Sequence, residues 1–260
     1  MKKPLPTLYV WNKWLAALYA VQGIALLVAS TAKTVPVTTA YLTSNTFASE
    51  TAGSTVLATA ARHIFDINLA WLLAGIFFVA ALAHGLAATV YRARQDKELA
   101  LQTNKIRWIE AALSSGLVIL TVGLIAGISD AGLLLGLFVL MAGMHLTGWL
   151  VEAYRLKGAR QAQKLLYILA GGAGAAPWLI VGGSLLAGLC FGAEHVPAYV
   201  YGVYCSMLVL AAAFAANLFL QYKGRGKWAD YMHGERVYVI LNVLAKTVLA
   251  WLLFAAVLRP

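Results

Sequence analysis

The chain has 260 residues, of which 62% are hydrophobic and 12% are charged, and its mean hydropathy is +0.77. A soluble domain carries about 45–50% apolar and about 25% charged residues, so this chain has too little charge to cover a surface that faces water. The composition excludes a soluble domain and predicts a membrane protein. The 20 Lys and Arg residues against 10 Asp and Glu residues give a formal charge of +10, which in a membrane protein has to be assigned loop by loop.

Seven segments of the chain are apolar and long enough to cross a bilayer as helices. They are residues 10–30, 67–91, 106–129, 131–154, 165–191, 196–222 and 237–258. The third and fourth segments meet at Asp130, so the turn between them must be very short. Cys190 and Cys205 lie inside apolar segments and are expected to be buried free thiols. The pattern predicts one all-α domain over residues 1–260, a bundle of seven transmembrane helices.

The one long loop, residues 31–66, contains two Thr-rich segments with high β-propensity. These segments are Val35–Thr43 and Ser54–Thr59, and Ser, Asn and Gly residues separate them. This pattern predicts a short β-hairpin between the first two helices. An irregular polar loop is the alternative.

Basic residues accumulate on one side of the predicted bundle. Sixteen of them fall at or near the amino terminus and in or directly beside every second loop, namely Lys2, Lys3, Lys13, Arg92, Arg94, Lys97, Lys105, Arg107, Arg155, Lys157, Arg160, Lys164, Lys223, Arg225, Lys227 and Arg236. The other side has Lys33, Arg62 and Arg259. Because Lys and Arg are retained in cytoplasmic loops, we expect a multi-pass protein of the cell membrane with a cytoplasmic amino terminus and an extracellular carboxyl terminus.

The remaining basic residue, Lys246, lies in the middle of the seventh segment, roughly 15 Å from either interface. A charged lysine at that depth costs at least about 2.5–3.5 kcal/mol. Apolar surroundings favour the neutral, nucleophilic amine, which can condense with an aldehyde to form a Schiff base. The alternative is a lysine that is paired inside the bundle and contributes to packing specificity.

Glu110 is the one carboxylate that lies plainly inside a predicted span, and it is the natural counterion for a protonated Schiff base. Counted from the predicted start of the third helix, however, Glu110 is only about 6 Å deep, whereas Lys246 is near the middle. The two depths agree if the third helix begins earlier, near residue 100. We therefore expect that extension, with Arg107 reaching Glu152 of the fourth helix. The alternative is an interfacial Glu110 paired with Arg107.

Four segments resemble the heliorhodopsin family, and the resemblance extends over nearly the whole chain. They are Arg107-Trp-Ile-Glu-Ala-Ala-Leu-Ser-Ser, Gln221-Tyr-Lys-Gly-Arg-Gly-Lys-Trp, Gly234-Glu-Arg-Val-Tyr and Ala245-Lys-Thr-Val-Leu-Ala-Trp. The resemblance implies a light sensor, not an enzyme, with a rhodopsin-like seven-helix fold. All-trans retinal would be bound to Lys246 as a protonated Schiff base with Glu110 as counterion. It also implies a slow photocycle without robust ion pumping, a homodimer in the lipid bilayer, and a cytoplasmic signalling partner that the sequence does not name.

The chain departs from the family pattern at three places. The family commonly has a histidine pair near the Schiff base; here His84 matches one position and Tyr19 occupies the other. Asn242 stands where a serine is common, and its amide can donate to Glu110. The small residues Ala211–Ala213 replace a stretch that is often aromatic, which predicts a roomier retinal pocket.

The resemblance and the helical spacing together give two sets of candidate site residues. Rigid aromatic faces suit a flat polyene, and Ser114 lies one turn after Glu110. The expected retinal site therefore comprises Lys246, Glu110, Ser114, Asn242, Trp108, Met144, Trp178 and Trp251. The expected site of proton exchange in a cytoplasmic cavity comprises His84, Tyr19, Arg107, Glu152, Lys227 and Tyr231. No metal-ligand spacing and no nucleic-acid-binding motif is recognised.

Pumping needs titratable groups in series across the membrane, and the third and seventh spans carry no carboxylate on the outer side of Glu110 and Lys246. We therefore expect a local proton exchange on the cytoplasmic side. Two alternatives remain: a light-gated or passive proton or ion transporter that uses the Lys246–Glu110 pair, and a membrane enzyme with Lys246 as a covalent nucleophile.

Overall fold

The computed structural model describes residues 6–156, 158–192 and 196–260. Its elements in chain order are α1 (Pro6–Ala29), β1 (Thr34–Ser44), α2 (Thr46–Ala52), β2 (Leu57–Asn68), α3 (Leu69–Ala88), α4 (Arg92–Ala100), α5 (Lys105–Ile125), α6 (Ala131–Leu156), α7 (Arg160–Phe191), α8 (Ala198–Lys223), a 3₁₀ turn (Gly226–Ala229), α9 (Tyr231–Leu253) and a π-helical turn (Phe254–Leu258). The predicted charges Lys2, Lys3 and Lys157 lie outside the described residues.

Seven of the described helices are long and apolar enough to cross a membrane, which confirms the predicted bundle. They are α1, α3, α5, α6, α7, α8 and α9 with the π-helical turn. A bilayer offers no water to the backbone, so helices satisfy their own N–H and C=O groups there. Polar caps mark where some of them begin: Asn68 accepts from the backbone of Ala70 and Trp71 before α3, and Asp230 accepts from Met232 before α9.

The predicted hairpin is present, and the alternative of an irregular loop is wrong. Strands β1 and β2 pair antiparallel from Thr34 opposite Asn68 to Ser44 opposite Leu57, with an irregularity after Val37. The second strand is longer than the sequence predicts and runs directly into α3. The connecting helix α2 was not predicted; Asn45 caps its start, and Gly53 ends it with a φ of 66°.

The hairpin is attached to the short turn between α5 and α6. Thr38 donates its backbone N–H to the carbonyl of Ser129 at 2.8 Å. The Asp130 carboxylate accepts from the backbone N–H of Ala40 at 3.0 Å and from that of Leu133 at 2.9 Å. We call this the hairpin end of the bundle, and the opposite end, which carries α4 and the α8–α9 connection, the polar end.

The expected extension of the third helix to residue 100 is wrong. Helix α4 ends at Ala100, Gln102 has a φ of 56°, and α5 begins at Lys105. Gln102 has the left-handed backbone conformation, in which its β-carbon lies close to the following carbonyl oxygen, so a right-handed helix cannot continue through it. Glu110 and Lys246 still meet, because α5 begins among buried side chains: Asn104, directly before its first residue, is 4% exposed. Helix α9 begins at Tyr231, earlier than predicted, and extends about 22 Å on the polar side of Lys246.

Apolar side chains fill the bundle and also cover its outside. Leu26, Phe77, Ile119, Leu137 and Leu249 are completely buried between helices, whereas many large apolar residues, including Trp14, Val28 and Leu179, are exposed, as expected for helices that face lipid. Both cysteines lie on this exposed surface. The expectation of buried thiols is therefore wrong, because the faces of α7 and α8 that carry them have no neighbouring helix against them.

We predict that Asp130→Ala loosens the hairpin without unfolding the bundle. Hydrogen bonds from the backbone of Leu133 and Ala40 lower the pKa of Asp130, so their contribution is present above the ordinary pKa of aspartate and is lost as the pH falls through the lowered value. Hydrogen exchange in β1, measured by mass spectrometry, should become several-fold faster. Asp66→Ala, which removes an exposed contact with His63, is the control; equal effects of the two changes would contradict the assignment.

Candidate functional site

A cavity of about 450 Å³ lies inside the polar half of the bundle. Side chains from all seven membrane-spanning helices line it, and its size is in the range of cavities that hold small organic ligands. Lys246 and Glu110 stand in its wall. Their position identifies this cavity as the candidate functional site.

Lys246 and Glu110 form a buried ion pair between α9 and α5. The ammonium Nζ lies 2.5 Å from Glu110 Oε1, and the two residues are 2% and 4% exposed. Asn242, one helical turn before Lys246, completes the group: it donates to Glu110 Oε2 at 2.7 Å and accepts from Lys246 at 2.6 Å. The predicted bond from Asn242 to Glu110 is thus present.

Ser114, expected at the retinal site one turn after Glu110, makes no hydrogen bond to Glu110. It is buried in the cavity wall, one turn along α5, and its hydroxyl has no hydrogen-bond partner among the described residues. The helical spacing placed the residue on the correct face of α5. The hydroxyl remains a buried polar group without a partner among the described residues, in a residue that lines the cavity.

Tyr19 and His84 lie beside the ion pair. Their rings stack with centroids 5.6 Å apart, and Nζ of Lys246 lies 5.4 Å from the centroid of the Tyr19 ring, which is within the range of a cation–π contact. His84 lines the cavity, and its Nδ1 is 2.9 Å from Asn12 Oδ1. Tyr19 and His84, two of the residues expected at the proton-exchange site, are therefore in contact.

A second group of buried charges lies where the cavity approaches the polar end. Arg107 donates to Glu152 at 2.7 Å, as predicted, and also to Glu235 at 3.0 Å. Trp108 donates its indole N–H to Glu152 at 2.7 Å, and Asn104 donates its amide to Glu235 at 2.6 Å. One guanidinium thus faces two carboxylates, and the additional neutral donors help to stabilise them.

The remaining candidates divide into those that reach the cavity and those that do not. Trp108, Met144 and Trp178 line it. Trp251 does not: its indole donates to Gln22 at 3.1 Å and its ring packs on Phe254, so α9 turns this residue toward α1. Tyr231 lies outside the lining and places its hydroxyl 3.4 Å from Glu152. Lys227 is exposed on the 3₁₀ turn and takes no part in the cavity wall.

Several polar residues of this region were not predicted as site residues. His145 of α6 lines the cavity and contacts the Trp108 ring. Glu235 was assigned to a loop, because a scan for apolar segments starts the seventh span two residues later. Asn12, Gln95 and Asn104 carried no signal of their own; uncharged amides in or beside an apolar helix become recognisable only when their partners are known.

We predict that Gly148→Ala disturbs the cavity wall. A β-carbon at this position of α6 would lie 2.5 Å from the Trp108 ring, which is held by its bond to Glu152. Overpacking of this kind costs about 1–3 kcal/mol, so the melting temperature of the purified protein, followed by tryptophan fluorescence, should fall. Gly143→Ala on the same helix meets nothing within 4 Å and should leave the melting temperature unchanged or raise it. A melting temperature unaffected by Gly148→Ala would contradict the close contact.

Comparison with known proteins agrees with the geometry. The heliorhodopsin family model matches residues 8–258, almost the full length of the chain. A comparison with curated protein sequences gives no match. The match includes the whole cavity, both groups of buried charges and all seven membrane-spanning helices. The chain therefore belongs to the heliorhodopsin family, whose members are retinal-binding, light-sensing rhodopsins.

Proposed function

We propose that this protein is a light sensor in which all-trans retinal is bound as a protonated Schiff base to Lys246, with Glu110 as counterion. The observation that carries the proposal is the buried Lys246–Glu110 pair, 2.5 Å apart in the wall of a cavity deep in the bundle. An amine in this position is shielded from water and has a carboxylate against its nitrogen. Retinal itself supplies the absorption of visible light and a double bond that isomerises.

The residues present fit such a group. Trp108 and Trp178 contribute flat aromatic faces, and small side chains on α7 and α8, among them Gly174, Ala211 and Ala212, leave room for a long apolar molecule. The unpartnered hydroxyl of Ser114 offers a hydrogen bond close to Glu110. An apolar cavity with few, converging polar groups is typical of sites that orient one ligand.

Glu110 has a defined electrostatic role in this proposal. A positive charge on the Lys246 nitrogen at this depth requires a nearby anion, because an isolated buried ion is costly. Asn242 donates to the carboxylate and so helps to keep it ionised. Glu110 therefore keeps the proton on the Lys246 nitrogen in the dark.

Proton movement is expected to stay within the polar half of the bundle. His84 lines the cavity and stacks on Tyr19, whose ring centroid lies 5.4 Å from Nζ of Lys246, so a proton acceptor lies beside the ion pair. Toward the hairpin end, α5 and α9 contribute an apolar layer, formed by Ile119, Val122, Leu249 and Leu253, each at most 1% exposed. Because this layer contains no group that can carry a proton, a photocycle with local exchange is favoured over pumping.

The membrane orientation and the oligomeric state of the protein are part of this proposal. The excess of basic residues at the polar end supports a cytoplasmic location of that end by the positive-inside rule, with an extracellular carboxyl terminus. A slow photocycle would then change the shape of the cytoplasmic face for a signalling partner. A homodimer in the bilayer follows from the family resemblance.

We predict that the purified protein forms a visible pigment with added retinal and that Lys246→Ala does not, because no other lysine among the described residues lies in the cavity wall. Absorption spectroscopy before and after addition of hydroxylamine, which should bleach the band, checks this. Lys227→Ala, at the exposed 3₁₀ turn, is the matched control and should keep its colour.

Absence of colour in the unmodified protein would contradict the proposal. A light-driven pH change in cells that is abolished by a protonophore would instead favour a transporter that uses the same Lys246–Glu110 pair.

We predict that Glu110→Gln shifts the absorption band to longer wavelength. Removing the negative charge beside the Lys246 nitrogen destabilises the ground state more than the excited state, in which positive charge has moved away. Glu152→Gln removes an equal charge that is bonded to Arg107 and should leave the band nearly unchanged. An unchanged spectrum for Glu110→Gln would assign the counterion role to another group.

A further inference from the structure

A chain of side-chain amides joins Glu235 at the polar end to His84 beside the ion pair. Asn104 Nδ2 donates to Glu235 Oε2 at 2.6 Å, and Gln95 Nε2 donates to Asn104 Oδ1 at 3.5 Å. Asn12 Nδ2 donates to Gln95 Oε1 at 3.0 Å, and Asn12 Oδ1 lies 2.9 Å from His84 Nδ1. The chain thus connects α9, the start of α5, α4, α1 and α3.

The direction of these hydrogen bonds follows from the carboxylate at one end. Glu235 is 1% exposed and receives the guanidinium of Arg107 at 3.0 Å, which holds it as an anion. An ionised carboxylate only accepts hydrogen bonds, so Asn104 must present its NH₂ group to Glu235. The carbonyl oxygen of Asn104 is then the atom left to face Gln95.

The orientation of Asn104 in turn fixes the orientations of Gln95 and Asn12 up to the histidine. Gln95 must donate to the Asn104 oxygen, and its own oxygen must accept from Asn12. The oxygen of Asn12 is therefore the atom that faces His84, and an amide oxygen can only accept. The ring nitrogen opposite it has to carry a proton.

We propose that the amide chain fixes His84 in the neutral tautomer with its proton on Nδ1, so that Nε2 is the atom that accepts a proton in the exchange with the Lys246 site. Asn12, Gln95 and Asn104 are positioning residues, which act through His84. Its Nε2 has no hydrogen-bond partner among the described residues, and the ring lines the cavity. The inference rests on the proposed proton exchange and names its accepting atom.

The charge produced by the exchange is also accommodated by this arrangement. When Nε2 accepts a proton, Nδ1 keeps its own, and the bond to Asn12 strengthens because its donor is now charged. No amide has to rotate, because the Asn12 oxygen already faces the histidine. Gln95 is the one buried residue of the otherwise polar helix α4, so the charge on His84 is connected to that helix through Asn12.

The test is ¹⁵N NMR of the full chain with retinal, labelled at histidine, in lipid nanodiscs in the dark. Protonated and unprotonated ring nitrogens differ in chemical shift, and loss of one signal set in His84→Gln assigns the residue among the five histidines. We expect Nδ1–H to exceed Nε2–H by at least about fivefold, the ratio that one ordinary hydrogen bond supports. A dominant Nε2–H form would overturn the inference.

Variants distinguish an effect of the amide chain on the His84 tautomer from an effect of general packing. Gln95→Leu interrupts the chain without touching His84 and should bring the two tautomers to nearly equal amounts. Gln95→Glu keeps an acceptor toward Asn12 and should retain Nδ1–H. Gln163→Leu removes a buried amide whose one partner among the described residues is the carbonyl of Val151, and it should leave the tautomer ratio unchanged. An unchanged tautomer ratio in Gln95→Leu would overturn the inference.

The absorption band of each sample is recorded first. A colourless unmodified protein contradicts the proposed function, whereas a coloured protein with the other tautomer contradicts the amide chain alone.

Discussion

An ammonium and a carboxylate in contact at the centre of an apolar bundle constrain how the surrounding helices pack. Neither Lys246 nor Glu110 has access to bulk water, and truncation of one partner of a buried pair typically costs about 3–5 kcal/mol, because the other charge is left uncompensated. Helices α5 and α9 must therefore keep one relative height. Asn242, one turn before Lys246, supports that alignment because it is hydrogen-bonded to both charged groups.

The second group of charges, around Arg107, organises the polar end in a comparable way. Its two carboxylates come from α6 and α9, and Asn104 and Trp108 supply further donors from the start of α5. These contacts explain why α5 can begin inside the bundle at Lys105. Arg107 and Glu235, which the sequence pattern assigns to the loops and their flanks, are instead paired with each other in the interior.

The parts of this protein that hydropathy governs are predictable from its sequence: seven spans, a lone lysine in the last and one carboxylate in the third. The hairpin was recognisable from its β-branched residues. Features set by tertiary partners were not. The break at Gln102 depends on contacts around α4. Trp251 faces Gln22 because of the way α9 packs on α1. Asn12 and Gln95 become recognisable as site residues only once their hydrogen bond to each other is known. Glu235 was missed because its partner, Arg107, lies far away in sequence.

The apolar layer formed by Ile119, Val122, Leu249 and Leu253 has an electrical consequence. One elementary charge that crosses a whole membrane exchanges about 2.3 kcal/mol with a potential of 100 mV. A proton that moves only between Lys246 and His84 stays on one side of this layer and crosses a small part of that field. The proposed exchange would therefore draw little from the membrane potential and respond little to it, so that the receptor reports light alike in an energised and in a depolarised cell.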